Sequence, residues 1–406
     1  MSEIADPSLA PTGETKIAWA ADRAPVMATM RDRLRTTGDV EGRRIAVVLP
    51  IEPKTALLAR ILAESGAEVS ITSPPSMVHD DVAAALSAGG VEVLARRNMS
   101  TDDEQRYHGM LLDRRPEVIV DDRADLITLA HTSRTEALDD LIGATEQTTS
   151  GIEVLTRLDA EGTLRVPVIA GNDARCKHLF DNRYGSGQSV IAAVLDRTNL
   201  LMAGANVVVV GYGWVGRGVA RVAAGMGARV TVTEVDPVAA LEAHHDGFEV
   251  ATVLDACGSA EFVITCSGVH GALSPEAIDR CPDGVVLANA AGIDDEFSVP
   301  DLAARASTQR RVRPEVDEYE MPDGRSVFVV GGGHCVNLSA GEGHPVEIMD
   351  LSFAVQGLAA AHLARHGGEM TPGLHALPTS IDDQIARDKL AALGISIDGR
   401  GRQRET

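Results

Sequence analysis

Acidic and amide side chains directly follow two apolar segments that are typical of strands. Asp121-Asp122 follow Pro116–Val120, and Asn172-Asp173 follow Val166–Ala170. The segment Thr265–Gly268 ends a third apolar run in the same manner. Ligands of open α/β sheets bind beyond the carboxyl ends of the strands, so these positions predict a ligand site.

A lysine and an aspartate lie four residues apart at Lys177 and Asp181. On a helix they share one face and can form an ion pair. Beside a nicotinamide ring, such a pair is suited to take the proton of a hydroxyl group during hydride transfer. The alternative is an ordinary ion pair on the protein surface.

The cofactor is indicated by a glycine-rich turn after the strand-like run Val207–Val210. Gly211, Gly213 and Gly216 have the spacing of the dinucleotide-binding fingerprint, and Glu234 ends the next strand-like run. The glycines permit a tight turn, close approach of a pyrophosphate, and close packing of helix on strand. A carboxylate at Glu234 binds the adenosine ribose diol and repels a 2′-phosphate, which predicts NAD rather than NADP. Neighbouring positions expected to contact NAD are Trp214, Val215 and Ser267.

Composition restricts the class of protein. The 406 residues carry a net charge of −22, which argues against nucleic acid or an anionic membrane as a partner. No apolar run is long enough to span a bilayer, and no signal peptide is recognisable, so a soluble cytoplasmic protein is expected. The five cysteines show no metal-ligand spacing, and no metal site is predicted.

Strand-like and helix-like segments alternate along the chain. This pattern predicts an α/β protein with two doubly wound, Rossmann-like domains, each a parallel sheet flanked by helices, plus a C-terminal tail. Residues 1–14 are expected to form a flexible leader. Gly185–Thr198 is predicted to be a long connecting helix, and Ile348–His362 a later one.

Six motifs in one order resemble the S-adenosylhomocysteine hydrolase family. They are Asp121–Asp125, Glu146–Gly151, Asn172–Asn182, Gly211–Gly218, Thr233–Pro237 and the Val336…Pro345 segment. The resemblance implies a substrate-binding domain at 15–186 and 344–380, an NAD-binding domain at 187–343, and a tail at 381–406 that contacts a neighbouring subunit. It also implies tightly held NAD, a nucleoside substrate, and a homotetramer or dimer.

The family's chemistry oxidises the ribose 3′-hydroxyl, which makes the C4′ proton acidic. Loss of that proton expels the 5′ substituent, water adds, and the stored hydride returns. By resemblance, Lys177 and Asp181 handle the 3′-hydroxyl, Asp122 lies near C4′ and C5′, and Asn172 and His344 line the substrate cleft. The resemblance assigns NAD contacts to Thr148, Thr149, Ser150, Asn182, Glu234, Asn289, Asn337 and, in the tail, Arg402.

Several positions depart from the family pattern. An adenosine-gripping stretch that begins with an acid/base histidine corresponds to Pro50–Thr55, so Pro50 stands for the histidine, while Glu52 and Lys54 are expected to contact substrate. A sugar-binding glutamate corresponds to Gln147, and a second cleft histidine to Gly292. His79 and His334 lie in candidate cleft loops and are candidates to replace the lost acid/base groups.

The sequence therefore predicts an NAD-dependent enzyme that removes the 5′ group of a nucleoside, by thioether hydrolysis or by 4′,5′-dehydration. Three alternatives remain. The same oxidation would support epimerisation at C3′ or C4′, the chain could be a catalytically silent NAD-binding regulator, or it could be an ordinary dehydrogenase that exchanges NAD with solution. The base and the 5′ substituent stay open.

Overall fold

The structure, a computed structural model, describes residues 2–398. Within this range the chain forms fifteen strands in two sheets. The strands are β1 Arg44–Val48, β2 Glu68–Thr72, β3 Glu92–Val93, β4 Val118–Asp121, β5 Gly143–Glu146, β6 Pro167–Ala170, β7 Asn206–Val210, β8 Arg229–Thr233, β9 Glu249–Val250, β10 Phe262–Thr265, β11 Val285–Asn289, β12 Thr308–Arg313, β13 Val316–Glu320, β14 Ser326–Val330 and β15 Gly373–Ala376.

Helices cover both faces of each sheet. They are α1 Ala10–Ala21, α2 Pro25–Thr37, α3 Pro53–Glu64, α4 Asp80–Ala88, α5 Thr101–Asp113, α6 Asp125–Thr132, α7 Thr149–Ala160, α8 Arg175–Lys177, α9 Ser186–Thr198, α10 Trp214–Gly225, α11 Pro237–His245, α12 Val253–Cys257, α13 Pro275–Arg280, α14 Val299–Arg305, α15 Val336–Ser339, α16 Val346–His366 and α17 Thr379–Ala392. No helix within residues 2–398 is long and apolar enough to cross a membrane.

The first sheet is parallel throughout, in the order β15-β6-β5-β4-β1-β2-β3. Its central strands are buried on both faces, as expected where helices pack on each side. The strand order reverses between β1 and β4, and ligands of doubly wound sheets bind at such a switch point.

The second sheet has the order β12-β13-β14-β11-β10-β7-β8-β9. Six of its strands, in the order β14-β11-β10-β7-β8-β9, are parallel and follow the order of a dinucleotide-binding sheet. β12 and β13 add an antiparallel edge that the sequence did not predict. The predicted fold class, two Rossmann-like domains, is confirmed.

A π-helix, His178–Gly185, joins the two sheets by leading directly into α9. It packs against α10, the helix after the glycine-rich turn, at a contact that only glycine permits. A Cβ on Gly218 would overlap the carbonyl oxygen of Arg183, and one on Gly187 would lie 2.6 Å from the Gly218 backbone. The catalytic candidates before α9 are thereby held against the cofactor helix.

The N-terminal segment differs from the flexible leader expected for residues 1–14. Glu3 exchanges backbone hydrogen bonds with Val93 and Ala95 beside β3, and its carboxylate binds Arg106 and Tyr107. A helix already begins at Ala10. The polar composition suggested disorder, but these side chains find partners in the first domain.

The C-terminal segment after residue 380 packs on its own chain as far as the structure describes it. Asp382 of α17 accepts hydrogen bonds from the amides of Arg175 and Cys176, and Lys389 pairs with buried Asp350 at 2.9 Å. Residues 399–406, including Arg402, lie outside the described residues. The predicted contact of the tail with a neighbouring subunit therefore stays a prediction.

Candidate active site

Asp181 is the centre of a buried polar network at the carboxyl ends of the first sheet. Its carboxylate binds the ring of His344, accepts a hydrogen bond from Ser352 at 2.7 Å, and lies 3.5 Å from the Lys177 ammonium. Burial alone would raise the pKa of Asp181, but Lys177 and His344 outweigh this and hold the pKa well below its usual range. The network fixes an anion in the domain interior.

Lys177 connects this anion to two amides. Its Nζ donates to Asn172 Oδ1 at 3.0 Å and to Asn182 Oδ1 at 2.7 Å. Asn182 Nδ2 in turn donates to Thr149 Oγ1 at 3.3 Å. Lys177 and Asp181 are both about 5% exposed, so this is not the surface ion pair considered as the alternative.

Asp122 presents an unpaired oxygen to the same region. It follows β4, is 7% exposed, and its Oδ1 has no hydrogen-bond partner among the described residues. Burial raises its pKa to about 6, despite the nearby Arg123 guanidinium. Neighbouring Glu146 accepts amide hydrogen bonds from Arg123, Ala124 and Thr148, and burial together with Asp122 raises its pKa to about 8.

Gln147 is held from both ends, which makes the amide a structural part of the network. Its Nε2 donates to Asp181 at 3.1 Å and to Ser352 at 2.9 Å, and its Oε1 accepts from Gln356 at 2.7 Å. Ser352 and Gln356 were missed in the sequence. The available signal was a set of buried polar positions on the otherwise apolar helix α16.

Glu52 and Lys54, which are predicted to contact substrate, form an ion pair with each other. Glu52 caps α3 by accepting from the amides of Lys54 and Thr55, and it pairs with Lys54 Nζ at 2.5 Å. Lys54 also donates to the carbonyl of Glu342 at 2.8 Å. Glu52 borders the cavity described below, whereas Lys54 does not.

Neither candidate replacement histidine lines that cavity. His79 sits before α4, where burial lowers its pKa and favours the neutral ring. His334 bonds Asp294 through Nδ1 at 2.8 Å, which raises its pKa. Pro50 and Gly292, the residues at the two altered histidine positions, do line it.

The glycine-rich turn has the backbone that the fingerprint requires. Gly211 has φ +97°, and a Cβ on Gly216 would overlap the Gly211 carbonyl. A Cβ on Gly213 meets nothing within 4 Å, so its face is open for a ligand. These features fit a pyrophosphate at the start of α10, and Glu234, half-buried after β8, accepts amide bonds from Tyr212 and Val235 at 2.6 Å.

Trp214 opens α10 and lies with its ring centroid 5.1 Å from that of His178. It lines the cavity with Val215 and Ser267. The Ser267 amide donates to Glu296 at 3.1 Å, so this buried carboxylate, which the sequence reading missed, holds the loop after β10.

The other predicted NAD contacts divide into two groups. Thr148, Thr149 and Ser150 begin α7 and line the cavity, as does Asn337, whose Nδ2 donates to Ser189. Asn289 is fully buried and does not line the cavity. Its Nδ2 donates to the carbonyls of Ile293 and Gly333, and its Oδ1 accepts from the amide of Ala291.

One cavity of about 300 Å³ brings these groups together between the two sheets. Asp122, Lys177, Asp181 and His344 line it from the first domain, and Gly213–Val215 from the second. Asn172 and Asn289 do not line this cavity. A hydride acceptor held at the glycine-rich turn would thus lie in the same cavity as a proton-accepting network.

Comparison with known proteins agrees with this arrangement. Residues 182–343 match the family described as "S-adenosyl-L-homocysteine hydrolase, NAD binding domain", and residues 1–137 match "S-adenosyl-L-homocysteine hydrolase". The first match confirms the NAD prediction.

Curated relatives match over nearly the whole chain. An adenosylhomocysteinase of Thermotoga maritima is 48% identical, over 95% of this chain and 96% of its own. An S-inosyl-L-homocysteine hydrolase of Methanopyrus kandleri is 44% identical, over 97% and 94%, and an adenosylhomocysteinase of Thermococcus kodakarensis is 45% identical, over the same shares. Relatives of similar identity thus differ in the base that their names specify.

Proposed function

The chain belongs to the S-adenosyl-L-homocysteine hydrolase family, and on this premise we propose that it hydrolyses the 5′-thioether of an S-nucleosyl-homocysteine. The observation that carries the proposal is the buried Lys177–Asp181–His344 network in one cavity with Asp122 and the glycine-rich turn. When bound, NAD accepts a hydride from the ribose C3′ and later returns it, so the net reaction consumes only water.

The first task of the protein is to remove the 3′-hydroxyl proton as the hydride leaves. Lys177 is the proposed acceptor, acting as the amine: its Nζ donates two hydrogen bonds, to Asn172 and Asn182, and its lone pair takes the hydroxyl proton, while the Asp181 carboxylate stabilises the ammonium that forms. Since the pair is about 5% exposed, little solvent reorganisation accompanies the proton transfer.

Asp122 is the proposed base for the C4′ proton. Its unpaired Oδ1 and its pKa of about 6 suit a group that takes up and releases a proton near neutral pH. Asp122 accepts the proton from C4′, and the thiolate of homocysteine departs from C5′. Water then adds to the resulting alkene before the hydride returns.

The departures at Pro50 and Gly292 favour a second outcome that the same experiment can detect. Both positions border the cavity with residues that cannot exchange a proton. If no other group assists the addition of water, the reaction stops at the 4′,5′-alkene after elimination of the thiol, and a nucleoside with a 5′-hydroxyl would correspondingly undergo 4′,5′-dehydration. The hydrolase activity named for the curated relatives favours hydrolysis over this outcome.

The test incubates NAD-loaded protein with S-adenosyl- or S-inosyl-homocysteine in deuterium oxide. Release of free thiol, transient absorbance of reduced nicotinamide, and deuterium at C4′ are expected together. An alkene without nucleoside would indicate elimination that stops before water adds. An inverted C3′ or C4′ would indicate epimerisation, and accumulation of free NADH would indicate an ordinary dehydrogenase. No thiol and no spectral change with either compound would refute the proposal and favour the silent regulator.

The proposed assembly is a homotetramer or dimer in the cytoplasm. Large apolar side chains are exposed at Trp19 (60%), Leu201 (77%) and Val238 (73%), and an interface between subunits would be expected to cover some of them. Sedimentation of the purified full-length protein tests it, and a monomer at micromolar concentration would overturn it.

A further inference from the structure

A second cavity, of about 740 Å³, adjoins the first. The two cavities share the lining residues Arg123, Ser150, Glu153, Gly268 and Ile293. Carboxylates outnumber cations in the second lining, which includes Glu104, Asp125, Glu153, Asp294 and Asp295 against Arg123 and Arg157. The second cavity therefore favours a positively charged ligand.

Three metal-ligating side chains converge on this cavity. Glu104 and His108 are four residues apart on α5 and so share one face, and Asp125 begins α6 beside them. One ligand atom from each lies within 4.8 Å of the others. Donors on one zinc ion are roughly 3.3 Å apart, so an ion would draw these side chains together by small rotations.

His108 supplies an independent indication of a ligand. The side chain is buried, with 8% of its surface exposed, and its Nε2 has no hydrogen-bond partner among the described residues. A buried imidazole nitrogen without a partner is unfavourable, because it has lost its hydrogen bonds to water and gained none in return. A bound cation would use the lone pair of the neutral ring at this position.

In this structure Arg123 supplies the positive charge that balances the carboxylates of Glu104 and Asp125. Its Nη2 lies 2.8 Å from Asp125 and 3.6 Å from Glu104, while its own Nε is buried without a partner. Ion pairing with Arg123 thus satisfies the two carboxylates but leaves both His108 Nε2 and Arg123 Nε unpaired. Arg123 and the following Ala124 have φ of +62° and +57°, a left-handed conformation that is strained for a residue with a Cβ.

We propose that Glu104, His108 and Asp125 bind a divalent transition-metal ion, which replaces Arg123 as the counter-charge. One nitrogen and two carboxylate donors suit Zn²⁺, Mn²⁺ or Co²⁺, with water filling the positions that face the cavity. Mg²⁺ prefers all-oxygen ligands and is a poorer fit. Because Arg123 lines both cavities, a bound ion would shift this guanidinium beside the substrate site.

The test uses full-length, NAD-loaded protein stripped with a chelator and titrated with Mn²⁺ or Zn²⁺, with calorimetry and the electron paramagnetic resonance of free Mn²⁺ as readouts. One ion per chain is expected. His108→Leu and Glu104→Gln should each weaken binding at least tenfold. His375→Leu, the same change at a histidine on β15, should leave binding unchanged.

Arg123→Met gives a result of the opposite sign, because it removes the competing cation and should tighten binding. Retained NAD shows that each variant is folded. The proposal is overturned if the unaltered protein binds no ion at about 1 mM metal, if both ligand variants bind as it does, or if Arg123→Met weakens binding.

Discussion

Replacing Lys177 by methionine removes the positive charge from the buried network with little change of shape. The side chain loses its hydrogen bonds to Asn172 and Asn182 and its 3.5 Å contact with Asp181. We expect the rate of reduction of bound NAD by a nucleoside to fall by about 10²- to 10⁴-fold, the range that one positioned proton-transfer group contributes.

Stability should fall as well, because Asp181 loses its contact with the Lys177 ammonium. Breaking a buried ion pair costs about 3–5 kcal/mol, and the lower end is expected here since His344, Ser352 and Gln147 remain bound to Asp181. The stability loss must be separated from the rate loss, and a matched variant of the same chain allows this.

Lys389→Met makes the same chemical change at another buried carboxylate, Asp350, which does not line the cavity. Stopped-flow absorbance of reduced nicotinamide measures the rate in both variants, and chemical denaturation measures their stability. Lys389→Met should lose stability but reduce NAD at the unaltered rate. The reasoning is refuted if Lys177→Met, with NAD bound, also reduces it at that rate, or if both variants lose rate equally.

Three further predictions follow from the site. Asp122 acts as a base only when ionised, so kcat/KM should rise with pH up to about 6 and lose this limb in Asp122→Asn; an unchanged profile in the variant would assign the base elsewhere. Gly218→Ala should destabilise the fold by more than about 3 kcal/mol in denaturation, whereas Gly213→Ala should keep stability but weaken NAD binding; equal stability losses would contradict the packing argument. Glu234→Ser should shift the ratio of NADP to NAD affinity upward at least tenfold in equilibrium titration, and an unchanged ratio would remove the carboxylate from ribose recognition.

The parts that the sequence predicted well are those governed by local rules. The turn at Gly211 and Gly216 requires glycine because a Cβ there would overlap backbone atoms nearby. The first and last residues of β7 and β10 follow from runs of apolar residues. β5 was missed because Gly143–Glu146 contains polar residues, which here are buried by partners distant in sequence. Local patterns carry no record of such partners.

In the candidate site, too, local sequence predicts some features, while others depend on residues distant in the chain. Lys177 and Asp181 were predicted from their spacing, but the bond from Asp181 to His344 spans 163 residues and has no local signal. Glu52 and Lys54 were expected to face a substrate because they follow a strand. Their role at the start of α3 had no signal in that reasoning: Glu52 caps the helix amides and pairs with the Lys54 ammonium.

The glycine contact between Gly218 and Arg183 has a consequence for the diversity of such enzymes. It packs the helix after the glycine-rich turn against the segment that carries Lys177 and Asp181, so the distance between the NAD site and the proposed proton acceptor does not depend on the loops proposed to face the base. Those loops can therefore change, as at Pro50 and Gly292, while the redox half of the site keeps its geometry. Redesign for another nucleobase should begin at these loops and leave the glycine contact untouched.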